Sequence, residues 1–138
     1  MIYSICYVST CDPTLEQDDV KALFKQTESA NNKANIGGIL LYSEGNFFQI
    51  LECDSNHKDV IINLFDKIKD DSRHYDVMKI FEKTTPSRSF SKYHSDFKAI
   101  ENPANIKELY NFLKLEKQNN PEGYSQIAYL AQKFLTLI

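Results

Sequence analysis

The sequence predicts an α+β fold of ferredoxin-like architecture, with elements in the order β-α-β-β-α-β, a further short strand and then two helices. Three observations lead there. Apolar spacing alternates between a two-residue and a 3.6-residue period along residues 1 to 100. The turn signal Ser43-Glu44-Gly45-Asn46 separates two apolar runs and folds them into a hairpin. Asn102-Pro103 and Asn120-Pro121 each place a capping residue before a proline suited to the first helical position. The expected arrangement puts the first two helices on one face of an antiparallel sheet and the C-terminal helical pair on the other.

Ile2 to Ser9 is rich in β-branched and aromatic residues and reads as the first strand, with Tyr3, Ile5 and Tyr7 on one face and Ser4, Cys6 and Val8 on the other. Asp12-Pro13 then breaks the chain. Thr14-Leu15-Glu16-Gln17 has capping-box spacing and predicts the start of a helix. Val20, Leu23, Phe24, Thr27 and Ala30 form its core-facing stripe, and it should end near Asn31 or Asn32. Ile36–Tyr42 and Phe47–Glu52 are the hairpin strands. Val60, Ile61, Leu64, Phe65 and Ile68 mark the second amphipathic helix, Asp76–Thr84 the fourth strand, and Tyr93–Ile100 a short fifth. Helices are expected over Pro103–Glu116 and Pro121–Leu137; their apolar residues Leu109, Phe112, Leu113, Ile127, Leu130, Phe134 and Leu135 need a surface to cover, and the free sheet face is nearest. Residues 1–100 therefore read as one domain and 101–138 as an extension packed on it.

Composition narrows the function. The 138 residues are 42% hydrophobic and 25% charged, an ordinary globular balance. A net charge of −3 lacks the basic field that nucleic-acid binding needs. No stretch suits a bilayer span and the N-terminus does not resemble a signal peptide, so a cytoplasmic protein is expected. Three cysteines and three histidines fall at spacings that match no zinc site or disulfide framework, and no metal is expected.

Three polar residues sit where the patterns point inward. Tyr7 shares its face with Tyr3 and Ile5. Gln49 lies between Phe47 and Leu51 on one strand face, and Asn31 lies on the apolar helical stripe, four residues after Thr27. A buried amide or phenol without partners costs a few kcal/mol. Singly, each is most often a satisfied core group or a cap; together they suggest a small polar ligand in an apolar crevice, of unspecified identity.

The motifs are more specific. Tyr7, Asn31, Ile36-Gly37-Gly38-Ile39-Leu40-Leu41-Tyr42 and Asn46-Phe47-Phe48-Gln49-Ile50-Leu51-Glu52 together resemble the BLUF family of flavin-binding photoreceptors. Asp71-Ser72-Arg73-His74 is similar to that family's Asp-x-Arg-His signature, and Arg88-Ser89-Phe90-Ser91-Lys92-Tyr93 to its Arg-x-Phe-x-x-Trp segment. The resemblance covers residues 1 to 100. It implies FAD held non-covalently between the two helices. Asn31 would bond the ring's amide edge, with Asn32 as the fallback one position along. Gln49 would bridge the flavin and the Tyr7 hydroxyl, and these two residues would form the photochemical switch, without turnover. Phe47 and Ile68 would line the slot and Lys67 would approach the phosphates. Arg73 and His74 would contact the ring edge or ribityl chain, oriented by Asp71.

Where the chain departs from the pattern, Tyr93 and Ser95 replace the Trp and Met of the strand that relays the signal. Cys53 replaces a glycine, and residues 54 to 58 read as a lengthened turn. No effector domain is expected, and output would pass through the last strand and the C-terminal helices, to an unidentified partner protein or by a change in homo-oligomeric state. The rival readings are a ferredoxin-like ligand-binding or assembly module that is not photoactive, and a small hydrolase of the acylphosphatase type. The second needs a phosphate cradle near the first strand, and Val8-Ser9-Thr10-Cys11 lacks its glycine and arginine.

Overall fold

A computed structural model describes residues 1–90, 96–119, 121 and 126–136. Five strands and four α-helices follow one another as β1 (Ile2–Cys11), α1 (Gln17–Lys33), β2 (Gly37–Ser43), β3 (Asn46–Asp54), α2 (Lys58–Lys69), β4 (His74–Thr85), β5 (Phe97–Ile100), α3 (Pro103–Asn119) and α4 (Gln126–Thr136). The sheet order is β4-β1-β3-β2-β5. Its first four strands are antiparallel neighbours, as expected of the ferredoxin-like core. β5 departs from that expectation: it lies beside β2 and parallel to it, so the sheet is mixed. Tyr93 and Ser95 lie outside the described residues, as do residues 122–125 and Leu137 of the expected last helix.

The two faces of the sheet carry separate cores. Tyr3, Ile5, Tyr7, Leu40, Phe47 and Leu51 pack with Val20 and Phe24 of α1 and Ile61 and Phe65 of α2. Cys6, Ile39, Leu41, Phe48 and Ile50 face the other way and pack with Leu109 and Leu113 of α3 and Ala128 and Ala131 of α4. Period-two alternation in β1 and β3 sends successive side chains to opposite layers. β2, covered on both faces and flanked by β3 and β5, is buried from Gly37 to Leu41.

Local chemistry sets the element ends. α1 begins two residues later than the Thr14 signal indicates, with Glu16 rather than Thr14 at its cap. Asp12 Oδ1 accepts from both the Thr14 amide (2.8 Å) and the Thr14 hydroxyl (2.7 Å), closing a turn that uses Thr14 elsewhere. The helix opens instead after Glu16, whose amide donates to Asp19 Oδ2 at 2.9 Å. In the hairpin, Glu44 and Gly45 both have positive φ, 50° and 80°, as a two-residue loop matched to strand twist requires. Gly38, at φ 124°, is needed for a different reason. A Cβ there would lie 2.0 Å from the carbonyl oxygen of Ile50. At Cys53 the strand simply continues, and the turn falls at Ser55–His57. All three cysteines are buried free thiols.

Among the described residues one carboxylate is fully buried. Glu52, on the α3/α4 side of β3, accepts from Ser4 Oγ (3.1 Å), Ser89 Oγ (3.0 Å) and the Ser89 amide (3.1 Å). Burial pushes its carboxyl above the ordinary value, and the Ser89 and Ser4 bonds and the Arg88 charge oppose that shift.

Candidate functional site

Between α1 and α2, above the middle of the sheet, lies a half-open crevice of about 300 Å³. Its floor comes from adjacent strands. Tyr7 of β1 is the register partner of Gln49 on β3, and Gln49 is the partner of Leu40 on β2. Phe47 lies two residues from Gln49 on the same face. One wall is Leu23, Thr27, Ala30 and Asn31 of α1, the other Leu64, Lys67 and Ile68 of α2. Asp71, Arg73 and His74 close the rim where α2 leads into β4.

The floor is dry and its polar groups are few. Tyr7, Gln49 and Phe47 are each 3% exposed and Asn31 6%. Gln49 Nε2 donates a hydrogen bond to the Tyr7 hydroxyl oxygen. Among the described residues, Gln49 Oε1 and Asn31 Nδ2 are buried with no hydrogen-bond partner. A buried polar atom left unmatched costs about 1–3 kcal/mol, so two in one crevice mark a place built for a ligand with an acceptor and a donor on one edge. A carboxamide can also exchange its two ends by rotation, so Gln49 can offer the crevice either acceptor or donor while remaining bonded to Tyr7. Burial pushes the Tyr7 phenol well above its ordinary value; the Gln49 bond opposes this, and the nearby Asp71 and Cys6 add to it. Tyr7 is therefore a neutral phenol with a proton to give.

The rim is wetter and charged. Asp71 holds Arg73 through Arg73 Nη2 (2.6 Å), Nε (3.0 Å) and the Arg73 amide (2.9 Å). The Arg73 hydrogen bond keeps the Asp71 carboxyl below the usual range, burial opposing it. His74 is held differently from the expectation that Asp71 orients it. Its Nδ1 meets Ser9 Oγ at 2.8 Å and its Nε2 meets the Ile68 carbonyl at 2.5 Å. A carbonyl can only accept, so Nε2 carries a proton, and the Ser9 hydroxyl, which can donate or accept, pairs with Nδ1. Both nitrogens are thus occupied, and the ring stands edge-on to Tyr7 and Phe47 as an aromatic wall.

Asn32 is the sequence candidate that the structure removes from the crevice. Its side chain bonds the backbone of Phe97 on the outer side of α1, because adjacent helical residues point about 100° apart. Sequence patterning missed Ser9, although its place two residues after Tyr7 on the same strand was the signal that could have found it. It also assigned Leu23, Thr27 and Ala30 to core packing, whereas they form a crevice wall.

A planar tricyclic ring with an alternating carbonyl and N–H edge fits these residues. A volume of about 300 Å³ is at the small end for ligand pockets, enough for a ring system and too small for a whole dinucleotide. Exposed Lys67 and Arg73 at the rim suit phosphates left near solvent.

Comparison with known proteins agrees with this geometry. Residues 2–96 match the BLUF family, described as sensors of blue light using FAD. The beta subunit of photoactivated adenylate cyclase from Euglena longa is 31% identical over 87 residues, 63% of this chain and 10% of that protein. The chain thus spans about a tenth of the curated relatives it matches. A solved structure described as the photo-activated state of BlsA is 25% identical with a TM-score of 0.67, covering 100% of this chain and 96% of that one. Klebsiella pneumoniae BlrP1, in complex with calcium and cyclic di-GMP, gives a TM-score of 0.74 at 24% identity over 99% of this chain and 34% of its own, a likeness of fold alone. The family match runs through every strand and helix that contributes to the crevice, and with that this chain belongs to the BLUF family of blue-light sensors.

Proposed function

We propose that this chain is a blue-light receptor in which FAD lies with its ring in the α1/α2 crevice and Tyr7 and Gln49 form the switch. One observation carries the reading: a phenol bonded to a carboxamide whose other end, together with the Asn31 amide, is buried and unmatched at the same crevice. Asn31 and Gln49 would hold the ring edge, with Phe47, Ile68 and His74 as walls. Lys67 and Arg73 would serve the phosphates, and Asp71 would fix Arg73. The flavin supplies absorption of blue light and an excited state that accepts an electron and a proton. Tyr7 is the donor within reach, since Gln49 links its hydroxyl to the crevice. While the Tyr7 proton is away the Gln49 carboxamide can turn, so that its carbonyl faces Tyr7 and accepts from the hydroxyl once the proton is back. Dry walls hold the new arrangement against exchange with solvent. The electron and the proton then return to Tyr7, whose hydroxyl can donate to the turned carboxamide, so there is no net reaction.

FAD is favoured over FMN by the cationic rim, which suits a second phosphate beyond the ring pocket. In this reading residues 1–100 are the receptor and 101–138 the output layer. The output goes to a partner protein or a second copy of the chain, not to nucleic acid or membrane, and the working compartment is the cytoplasm. The test is an absorption spectrum of the purified, flavin-loaded protein before and after blue light, with the released cofactor identified chromatographically. A small reversible red shift and FAD are expected. Colourless protein that takes up no flavin overturns the reading in favour of a ferredoxin-like module that does not respond to light.

A further inference from the structure

Among the described residues β5 is the strand at one end of the sheet, with one edge paired to β2. Its other edge is taken by side chains of α1. The Phe97 amide donates to Asn32 Oδ1 at 2.7 Å, and Asn32 Nδ2 donates to the Phe97 carbonyl at 3.2 Å. The Ala99 amide donates to Glu28 Oε2 at 2.9 Å. The Asn32 carboxamide thus makes both bonds that a residue of a neighbouring strand would make. The spacing explains why a helix can do this. Glu28 and Asn32 are four residues apart, about 6 Å along a helix, while Phe97 and Ala99 are two apart, about 6.6 Å along a strand. The two repeats match, and α1 and β5 run in opposite directions at the contact.

The same turn of α1 reaches the crevice. Asn31 presents its amide there, with Thr27 and Ala30 beside it, and the next residue holds β5. β5 in turn leads through Glu101 and Asn102 into α3, whose Leu109 and Leu113 pack on the far side of the sheet. Asn102 caps that helix through Ala104 (2.8 Å). A continuous path of named bonds therefore joins the crevice to the opposite layer without using residues 91–95.

We propose that Asn32 and Glu28 are positioning residues that stand in for a sixth strand and transmit the state of the crevice from α1 to β5 and α3. This rests on the crevice holding a flavin, as proposed above. It also assigns Asn32 a purpose other than binding the ring. Side-chain clamps of this kind seal an edge that would otherwise be open to pairing by another chain.

The test measures backbone hydrogen exchange at Phe97, Ala99 and the α3 amides in the full chain, before and after adding FAD, and in darkness and blue light. Wild type, Asn32→Ala, Glu28→Ala and Glu28→Gln are compared. In the flavin-free protein, Asn32→Ala should speed exchange at Phe97 about five- to tenfold, and Glu28→Ala should do so at Ala99, each from loss of one hydrogen bond. Glu28→Gln keeps an acceptor and should behave as wild type. Addition of FAD should slow both amides in wild type, and illumination should change exchange in α3. In Asn32→Ala both responses should fall to a third or less, while FAD affinity stays within about threefold of wild type. Wild-type-sized responses in Asn32→Ala overturn the proposal, as does loss of FAD binding in that variant, which would make Asn32 a ligand. If the wild type binds no FAD, the functional reading above fails and the clamp is judged on the flavin-free protein. Unchanged exchange at Phe97 and Ala99 in the variants then overturns it.

Discussion

Replacing Asn31 with leucine should stabilise the empty protein and weaken flavin binding, two effects of opposite sign from one substitution. The side chains are similar in size, and Asn31 is 6% exposed with Nδ2 unmatched among the described residues. Removing an unsatisfied buried amide relieves about 1–3 kcal/mol. For a chain of this length each kcal/mol moves the midpoint of thermal unfolding by about 3 °C, so Tm of flavin-free Asn31→Leu should rise by roughly 3–9 °C. With flavin, the variant loses one hydrogen bond and leaves a ring carbonyl facing a methyl group, together about 2 kcal/mol, or a Kd about thirtyfold weaker. Thermal melts of the flavin-free protein and titration of flavin fluorescence measure both. A variant with lower Tm and affinity within about threefold of wild type would show that Asn31 is an ordinary core residue and refute the account of the crevice.

Tyr7→Phe and Gln49→Leu should each retain a bound flavin spectrum and lose the light-induced red shift, read by difference absorption; a full-sized shift in either removes that residue from the switch. Because burial raises the Tyr7 pKa, the phenol should stay protonated in the folded state through its ordinary value of about 10. The amplitude of the shift should therefore not titrate away between about pH 8 and pH 10, and a loss centred near 10 in still-folded protein would contradict the burial argument. Gly38→Ala should destabilise by about 3 kcal/mol or more in urea unfolding, since its Cβ would meet the Ile50 carbonyl at 2.0 Å in a backbone conformation of positive φ. Glu52 has a folded-state pKa raised by burial, so its contribution to stability is present below its unfolded value and is lost as pH rises through the raised one. Glu52→Gln should accordingly gain stability relative to wild type as pH rises above the ordinary carboxylate value of about 4.3, and a gap that narrows over that rise would reverse the sign assigned here.

Periodicity carried most of the fold, and the reasons for its failures are local. Strand alternation placed Tyr7, Phe47 and Gln49 on one face because each strand is flanked by partners that leave no freedom of register. The helical stripe distinguished Asn31 from Asn32 for the same geometric reason. Thr14 misled because its turn partner Asp12 lies before it, and capping-box spacing does not register that competitor. The direction of β5 was not legible, since a four-residue strand carries no signal for the edge it will join. That Ser9 and the Ile68 carbonyl, rather than Asp71, hold the His74 ring was not legible, because these partners are distant in sequence or belong to the backbone. The charged rim, by contrast, followed from a contiguous motif at a helix end.

Polar side chains on both faces of β3 also settle how this central strand is threaded. Sliding it by one residue against β1 would turn the Gln49 carboxamide toward Ile39 and Leu41, and would drive the Glu52 carboxylate into the opposite core, away from Ser4 and Ser89. Each misplacement strands a hydrogen-bonding group in hydrocarbon at a cost of several kcal/mol. The groups that equip the crevice for chemistry therefore double as a combination lock, and an offset pairing of the hairpin with β1 is rejected before a ligand arrives.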